Sequence, residues 1–140
     1  MANALYPKWK EELLKATANA GLNGNTVKAA FLDTNAYTYS GAHDFFNDLT
    51  GVYPATRANG ATLNSKTFVD GTFDAADAVF TNLTNGAVQV EAIVIYVDDG
   101  LADSSSRLVA FLDTSITGIP FTPSGSDVTI QWNASGIFTL

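Results

Sequence analysis

Histidine and cysteine, which often supply nucleophiles, bases and metal ligands, are almost absent from this chain. His43 is the only histidine among 140 residues, and there is no cysteine. A serine hydrolase would use His43 as its general base, but Asp44 cannot orient the ring simply by following it in sequence, and no G-x-S-x-G motif supplies a nucleophile. The sequence predicts a partly exposed, structural histidine on a short helix.

Two groups of aspartates offer the oxygen ligands that calcium prefers. The first contains Asp70, Asp74 and Asp77, and the second contains Asp98, Asp99 and Asp103. Neither group has the ligand spacing of an EF-hand loop, and aspartate and glycine are common turn residues in β proteins. Zinc is disfavoured too, because one histidine without cysteine leaves only carboxylates as ligands. We expect no metal and no cofactor, and calcium at either aspartate group stays open.

Paired carboxylates can hydrolyse glycosidic bonds when two of them converge in a cleft. Most acidic residues here fall in predicted turns or at strand ends. Glu91 is the exception, because it lies within a strongly apolar stretch where it could face solvent or an interface. No second acid is paired with it by spacing, and no phosphate-binding loop is present. The sequence therefore predicts a protein that is not an enzyme.

Aromatic side chains are more numerous, with two Trp, five Tyr and nine Phe. Carbohydrate-binding modules use exposed aromatic rings as platforms for sugar rings, and Tyr37, Tyr39 and Tyr53 are candidates for that role. The alternative is ordinary packing of these rings in a core or across hairpins. The residue types favour packing.

The start of the chain has the periodicity of an amphipathic helix. Apolar residues recur there at spacings of three and four, which forms one stripe on a helix of about 13 residues. The stripe contains Leu5, Trp9, Leu13, Ala16 and Ala20. Pro7 suits the first turn, and Gly21 is placed to end the helix. We therefore predict an N-terminal helical segment over residues 1–21.

Charge separates this segment from the rest of the chain. The net charge is −7, yet residues 1–28 hold four of the seven basic side chains and two of the fourteen acidic ones. The acidic remainder repels phosphate backbones, so we expect no nucleic-acid partner. No apolar run has the length of a membrane span, and the N-terminus lacks a signal-type apolar stretch, so we expect no membrane partner either.

The basic amphipathic helix is instead suited to a protein partner. Aromatic and basic side chains together are typical of residues that anchor protein interfaces. The residues predicted to bind a partner are Tyr6, Lys8, Trp9 and Lys10. The alternative is that the helix merely covers one open end of the β-structure with Trp9 and Leu13.

Beyond the helix the pattern is that of a mainly β protein. Alternating or continuous apolar runs, separated by Gly, Asn, Asp and Ser, predict many short strands. The candidate strands cover residues 26–34, 52–57, 66–69, 78–84, 87–98, 106–114, 119–122, 127–133 and 137–140. Asn85 and Gly86 between two of them are a two-residue hairpin signal.

One short extra helix is expected between the first strands. Its apolar positions are Ala42, Phe45, Phe46 and Leu49. Many short strands with turns between them favour an antiparallel β-sandwich or jelly roll. We predict one domain over residues 1–140, in which the β-sandwich occupies residues 26–140.

Several segments taken together resemble a family of small structural proteins from tailed bacteriophages. They are "ALYPKWKEELL" near the start, "VKAAFLDT" with "YTYS" after it, "EAIVIYVDDG", "SRLVAFLDT" and the closing "IQWNASGIFTL". Within that group the chain looks most like a capsid cement, or decoration, protein. The similarity covers nearly the whole chain but contains no functional motif, so no catalytic or contact residue is carried over.

The resemblance implies a compact β-sandwich or jelly roll on the outside of the phage head. Such a protein forms dimers or trimers and bridges neighbouring major capsid subunits, which locks the expanded shell against internal pressure. It would assemble in the cytoplasm of the host bacterium and become part of the virion. Two other roles stay open: a neck, tail or fibre-adaptor protein of the virion, and a carbohydrate- or receptor-binding β-sandwich.

Overall fold

A computed structural model describes residues 3–81, 83, 86 and 88–140. The protein is mainly β, with one α-helix in the described part of the chain, α1, over Pro7–Leu14. The strands are β1 Ala4–Leu5, β2 Val27–Leu32, β3 Val52–Tyr53, β4 Ala61–Thr62, β5 Thr67–Val69, β6 Thr72–Asp74, β7 Ala78–Phe80, β8 Ala92–Val97, β9 Arg107–Leu112, β10 Val128–Ile130 and β11 Phe138–Thr139. Short 3-10 helices lie at Phe46–Asp48 and Arg57–Asn59.

The strands form three antiparallel sheets. The largest has six strands in the order β1-β9-β8-β2-β3, and β4 pairs with the first part of β2. The other sheets are β10-β7 and β11-β6-β5. The three long strands β2, β8 and β9 are almost completely buried. Their continuous apolar sequences follow from this position, because a strand covered on both faces has no solvent-facing side.

Both faces of the large sheet are covered by other parts of the chain. On one face Phe31 packs against Phe80 of β7, with ring centroids 4.0 Å apart. On the other face Phe111 packs against Tyr39, at 5.7 Å. Phe31 and Phe111 are opposed by consecutive residues of β8, which point to opposite faces of the sheet. The core therefore extends above and below β8.

The helix is shorter than the predicted segment 1–21, and Gly21 does not end it. Ala16 has a φ of 57°, outside the helical range, so the chain leaves the helix there. The following turn brings the carbonyl oxygen of Ala20 to the indole of Trp9, which donates a hydrogen bond to it at 2.8 Å. The last two positions of the apolar stripe thus belong to a turn. This helix has neither the length nor the apolar run that a membrane crossing requires.

The short extra helix predicted around residues 42–49 is reduced to the single 3-10 turn Phe46–Asp48. Phe45 is extended and forms a β-bridge with Arg107, which interrupts helical geometry in the middle of the predicted segment. The N–H of Phe46 donates to the carbonyl oxygen of Ser106 at 2.8 Å. Pairing with the sheet has therefore replaced local helix formation.

Most predicted strands are present but shorter than predicted. The candidate 87–98 begins only at Ala92, and 119–122 is reduced to one bridge between Val90 and Phe121. Strands β1, β4 and β6 were not predicted at all, and β1 lies within the segment predicted as helical. The hairpin signal at Asn85 lies outside the described residues. The division of one domain into segments 1–21 and 26–140 stays a prediction.

Candidate functional site

The four residues predicted to bind a partner divide into two buried and two exposed side chains. Tyr6 and Trp9 are 0% and 2% exposed. The hydroxyl groups of Tyr6 and Tyr37 lie 2.7 Å apart, inside the protein. Lys8 and Lys10 are exposed. Tyr6 and Trp9 therefore stabilise the position of α1, and the two lysines are the predicted contact residues that a partner could reach.

The lysines of the N-terminal segment do not form one basic patch. Lys15 and Lys8 both pair with Glu11, at 2.6 Å and 3.7 Å. Lys28 lies on β2 and pairs with a buried carboxylate. Lys10 is exposed and has no ion pair within the described part of the chain. The basic character seen in the sequence is thus largely neutralised within the protein.

An apolar groove of about 610 Å³ lies between α1 with its following turn and the sheet β11-β6-β5. Its apolar walls include Trp9, Leu13, Leu22, Phe68, Phe73 and Phe138. Trp9 and Phe138 pack edge to face at its base, with ring centroids 5.7 Å apart. Concave apolar surfaces of this kind are typical of sites that bind a ligand or another protein.

Large apolar side chains are exposed on the elements that form this groove. The exposed fractions are 90% for Leu14, 63% for Val69, 61% for Leu140 and 45% for Phe68. Single exposed apolar residues are common on protein surfaces. Here, however, they accompany a groove that is itself apolar. The groove and its exposed apolar neighbours are therefore the strongest candidate for a functional surface.

Sequence reasoning missed this surface because it missed the hairpin that carries it. Strands β5 and β6 are joined by Asp70 and Gly71, whose φ values are 49° and 79°. Aspartate and glycine tolerate this left-handed conformation, and the pair is a usual hairpin signal. Asp70 is thus a turn residue and not a metal ligand, as its position next to glycine between "TFV" and "TF" already indicates.

The second aspartate group is organised by cations of the chain itself. Asp98 is buried and pairs with Lys28 at 2.7 Å and with Arg57 at 2.5 Å. Burial alone raises the pKa of Asp98, but hydrogen bonds from Lys28, the Gly100 N–H and Arg57 outweigh it and hold the pKa below its usual range. Asp103 is a more distant partner of Arg57, at 3.6 Å.

The first aspartate group is dispersed. Asp77 accepts a hydrogen bond from the backbone N–H of Trp132 at 3.2 Å. Asp74 accepts one from the N–H of Ala75 at 2.9 Å. Among the residues that the structure describes, no group of three or more acidic or histidine side chains is arranged to hold a metal ion.

His43 ends a chain of hydrogen-bonded side chains. Its Nδ1 lies 2.9 Å from the hydroxyl of Tyr37, which in turn contacts the hydroxyl of Tyr6. Burial raises the pKa of Tyr37 to about 12 and raises that of Tyr6 further. His43 lies in the turn before the 3-10 helix Phe46–Asp48, not on the predicted helix. Its ring contacts a tyrosine that stays protonated at neutral pH.

The tyrosines considered as sugar platforms are mostly engaged in packing. Tyr37 is 3% exposed. Tyr39 is half-buried, donates a hydrogen bond to the Leu5 carbonyl at 3.1 Å, and packs 5.1 Å from the ring of Tyr6. Tyr53 lies on β3 and is partly exposed. A flat stack of exposed rings is not formed by these three residues.

Glu91 connects the ends of two central strands. Its Oε2 accepts hydrogen bonds from the backbone N–H and the hydroxyl of Thr34, at 2.9 Å and 3.1 Å. These bonds tie the residues after β2 to the start of β8. The structure thus gives Glu91 a positioning role.

This chain matches no protein-family model, no curated protein and no solved structure. The feature of the described residues that most suggests a function is the apolar groove next to the exposed strand β5.

Proposed function

We propose that the chain is a non-enzymatic structural protein of a tailed-phage virion. In this role it binds the outside of the capsid and bridges neighbouring major capsid subunits as a cement protein. The observation that carries the proposal is the apolar groove, with the exposed Phe68 and Leu140 in its lining. Contiguous exposed apolar surface often marks a site of interaction with another protein. The segments that resemble cement proteins supply the virion setting.

The anchoring of α1 supports a role in docking. Tyr6 and Trp9 fix the helix against the core, so its outer side is presented without much freedom. Lys10 and Leu14 are both exposed and lie one helical turn apart, so they form a small mixed contact patch. A rigid patch loses less entropy on binding than a flexible one.

In the proposed mechanism, many copies of the protein each make weak contacts with the capsid. Each copy contributes a small binding free energy, and engagement of several capsid subunits at once multiplies the effect. We further propose that the sheets form the sandwich or jelly roll implied by the resemblance. The packing of Phe31 in the large sheet against Phe80 in β7 supports two stacked layers.

Copy number in purified virions tests the proposal directly. Quantitative mass spectrometry would compare this chain with the major capsid protein. A cement role predicts hundreds of copies in simple proportion to the shell subunit. A dozen copies would place the protein in the neck, tail or a fibre adaptor, and complete absence from virions would refute a virion role.

A binding assay with matched variants tests the surface. Purified protein would be sedimented with capsids that lack it. Leu14→Glu places a charge beside the groove, whereas Leu101→Glu introduces the same charge away from it, at a 78% exposed leucine in the loop between β8 and β9. We expect Leu14→Glu to weaken capsid binding by at least about tenfold and Leu101→Glu to leave it unchanged. Equal effects of both would contradict the assignment of this surface.

A further inference from the structure

Strand β5 is an edge strand without a described partner on its outer side. It pairs with β6 on one side only, and all three of its residues are exposed. Thr, Phe and Val have high strand propensity. Proteins usually protect such edges with charges, proline or a covering loop, because an open edge pairs with other strands.

The backbone of Phe68 faces this open edge. Phe68 is opposite Phe73 in the β5-β6 hairpin, and the carbonyl of Phe73 accepts a hydrogen bond from Ile137 on the other side, at 2.8 Å. In antiparallel pairs, residues alternate between bonding to one neighbour and bonding to the other. The N–H and carbonyl groups of Phe68 therefore point away from β6, towards the free edge.

The sequence around Phe68 is complementary to itself. In an antiparallel pair of two β5 strands centred on Phe68, Thr67 of each copy lies opposite Val69 of the other. Lys66, just before the strand, then comes near Asp70 in the turn just after it. Asp70 is exposed and its carboxylate has no partner among the described residues. Opposite charges brought close together attract each other and favour this antiparallel arrangement. A two-fold axis would create two such pairs.

The lysine of each pair is already held in place. Lys66 donates hydrogen bonds to the carbonyl oxygens of Leu22 and Asn25, both at 2.6 Å, and to that of Asn23 at 3.5 Å. Its donors are thus occupied, so Lys66 attracts the Asp70 carboxylate of the other copy through its charge, from a position that is already fixed. The turn over residues 22–25, which accepts these hydrogen bonds, forms one wall of the apolar groove. Pairing at β5 therefore also brings the grooves of the two copies side by side.

We propose that the β5 edge is the site where a second copy of this chain docks, through antiparallel β5–β5 pairing centred on Phe68. The pairing joins two three-stranded sheets into one of six strands and places the Phe68 side chains of the two copies next to each other. A symmetric contact of this type closes on itself and gives a dimer. The inference names the self-association surface of the proposed cement protein and to that extent rests on the proposed function.

Sedimentation velocity of the purified protein tests the proposal without any capsid. We expect dimers to form as the concentration rises from about 1 µM to about 1 mM. Val69→Lys places a lysine on the β5 edge and should raise the dimer dissociation constant at least about tenfold. Val79→Lys is the matched control, because Val79 is a 51% exposed strand valine in another sheet. It should leave the constant unchanged.

A second variant tests the charge complementarity separately. Asp70→Asn removes the carboxylate while asparagine still tolerates the positive φ of this turn, so the hairpin is kept. We expect the dissociation constant to rise by about threefold, with a weaker dependence on salt. Circular dichroism would establish that each variant is folded.

The outcomes separate this inference from the proposed function. A wild-type protein that stays monomeric, or equal effects of Val69→Lys and Val79→Lys, would overturn the pairing. If the wild type is monomeric and Val69→Lys loses capsid binding, β5 pairs with a strand of the capsid protein. That result also overturns the proposed pairing between two copies. If the dimer forms through β5 but no capsid is bound, the pairing stands and the capsid role is refuted.

Discussion

The hydroxyl group of Tyr96 occupies the space that a side chain at Gly60 would need. Tyr96 is fully buried in β8, and its hydroxyl donates a hydrogen bond to the carbonyl oxygen of Arg57 at 2.5 Å. The chain around Gly60 therefore lies directly on the central sheet. This contact links the 3-10 helix Arg57–Asn59 to the core and leaves no room for a β-carbon.

Gly60→Ala should destabilise the protein. The new methyl group would meet the Tyr96 hydroxyl and would lie 2.9 Å from the carbonyl oxygen of Ala29. Relief of this overlap requires movement of the backbone or of a buried ring, at a cost of about 1–3 kcal/mol. Gly24→Ala is the control, because a β-carbon there meets nothing within 4 Å. Urea denaturation should show a large loss only for Gly60→Ala.

Trp9→Phe should reveal how α1 is held. The substitution removes the indole N–H and leaves the buried Ala20 carbonyl without its donor, which costs about 1–3 kcal/mol. Leu14→Ala on the same helix removes an exposed side chain and should change stability by no more than about 0.5 kcal/mol. Equal losses in urea denaturation followed by circular dichroism would show that the indole bond does not anchor the helix.

Acid should weaken the fold through Asp98. Its folded-state pKa lies below the unfolded value, because hydrogen bonds to Lys28, the Gly100 N–H and Arg57 outweigh the effect of burial. The stability that it contributes is therefore present above the unfolded pKa and is lost as pH falls through the folded one. We expect the unfolding free energy to fall between about pH 5 and about pH 2.

Asp98→Asn tests the source of that acid sensitivity. At neutral pH the variant should be less stable by about 1.5–3 kcal/mol, because two cations lose their charged acceptor. Its stability should also depend less on pH in the acid range. Asp103→Asn is the control, since Asp103 is half-exposed and lies 3.6 Å from Arg57. An unchanged acid profile for Asp98→Asn would show that other carboxylates govern the transition.

The mainly β character could be predicted because the central strands carry it in their own residues. Strands β2, β8 and β9 are continuous apolar runs, and such runs form buried strands wherever the chain places them. The short edge strands were predicted less well. Their bounds depend on which neighbour pairs with them, and that information is spread over distant parts of the sequence.

The candidate site was predicted only in part, for a similar reason. The apolar stripe of α1 identified Trp9 and Leu13 as one face, but it could not show that Trp9 would be sealed by Phe138, which is far away in sequence. The concentration of basic residues within residues 1–28 was misleading, because Lys28 lies on β2 and pairs with Asp98 in the fold. The exposed β5 surface could have been predicted, because Asp70 and Gly71 form a hairpin signal in the sequence.

Alkali should weaken the fold through buried tyrosines. Burial, followed by the influence of neighbouring groups, raises the pKa of Tyr6 and Tyr96 far above the ordinary value of 10.0 and raises that of Tyr37 to about 12. The stability that they contribute is fully present below the unfolded pKa and is lost as pH rises towards the folded ones. This happens because the unfolded chain releases protons that the folded chain retains.

We therefore expect the unfolding free energy to fall above about pH 10, by about 1.4 kcal/mol per pH unit for each such tyrosine. Ultraviolet difference spectroscopy would follow tyrosine ionisation while circular dichroism follows the fold, with the urea-unfolded chain as the fully accessible reference. Tyr6 and Tyr96 should ionise only together with unfolding. If all five tyrosines ionised while the circular dichroism of the native protein persisted, Tyr6 and Tyr96 would not be shielded as their burial indicates.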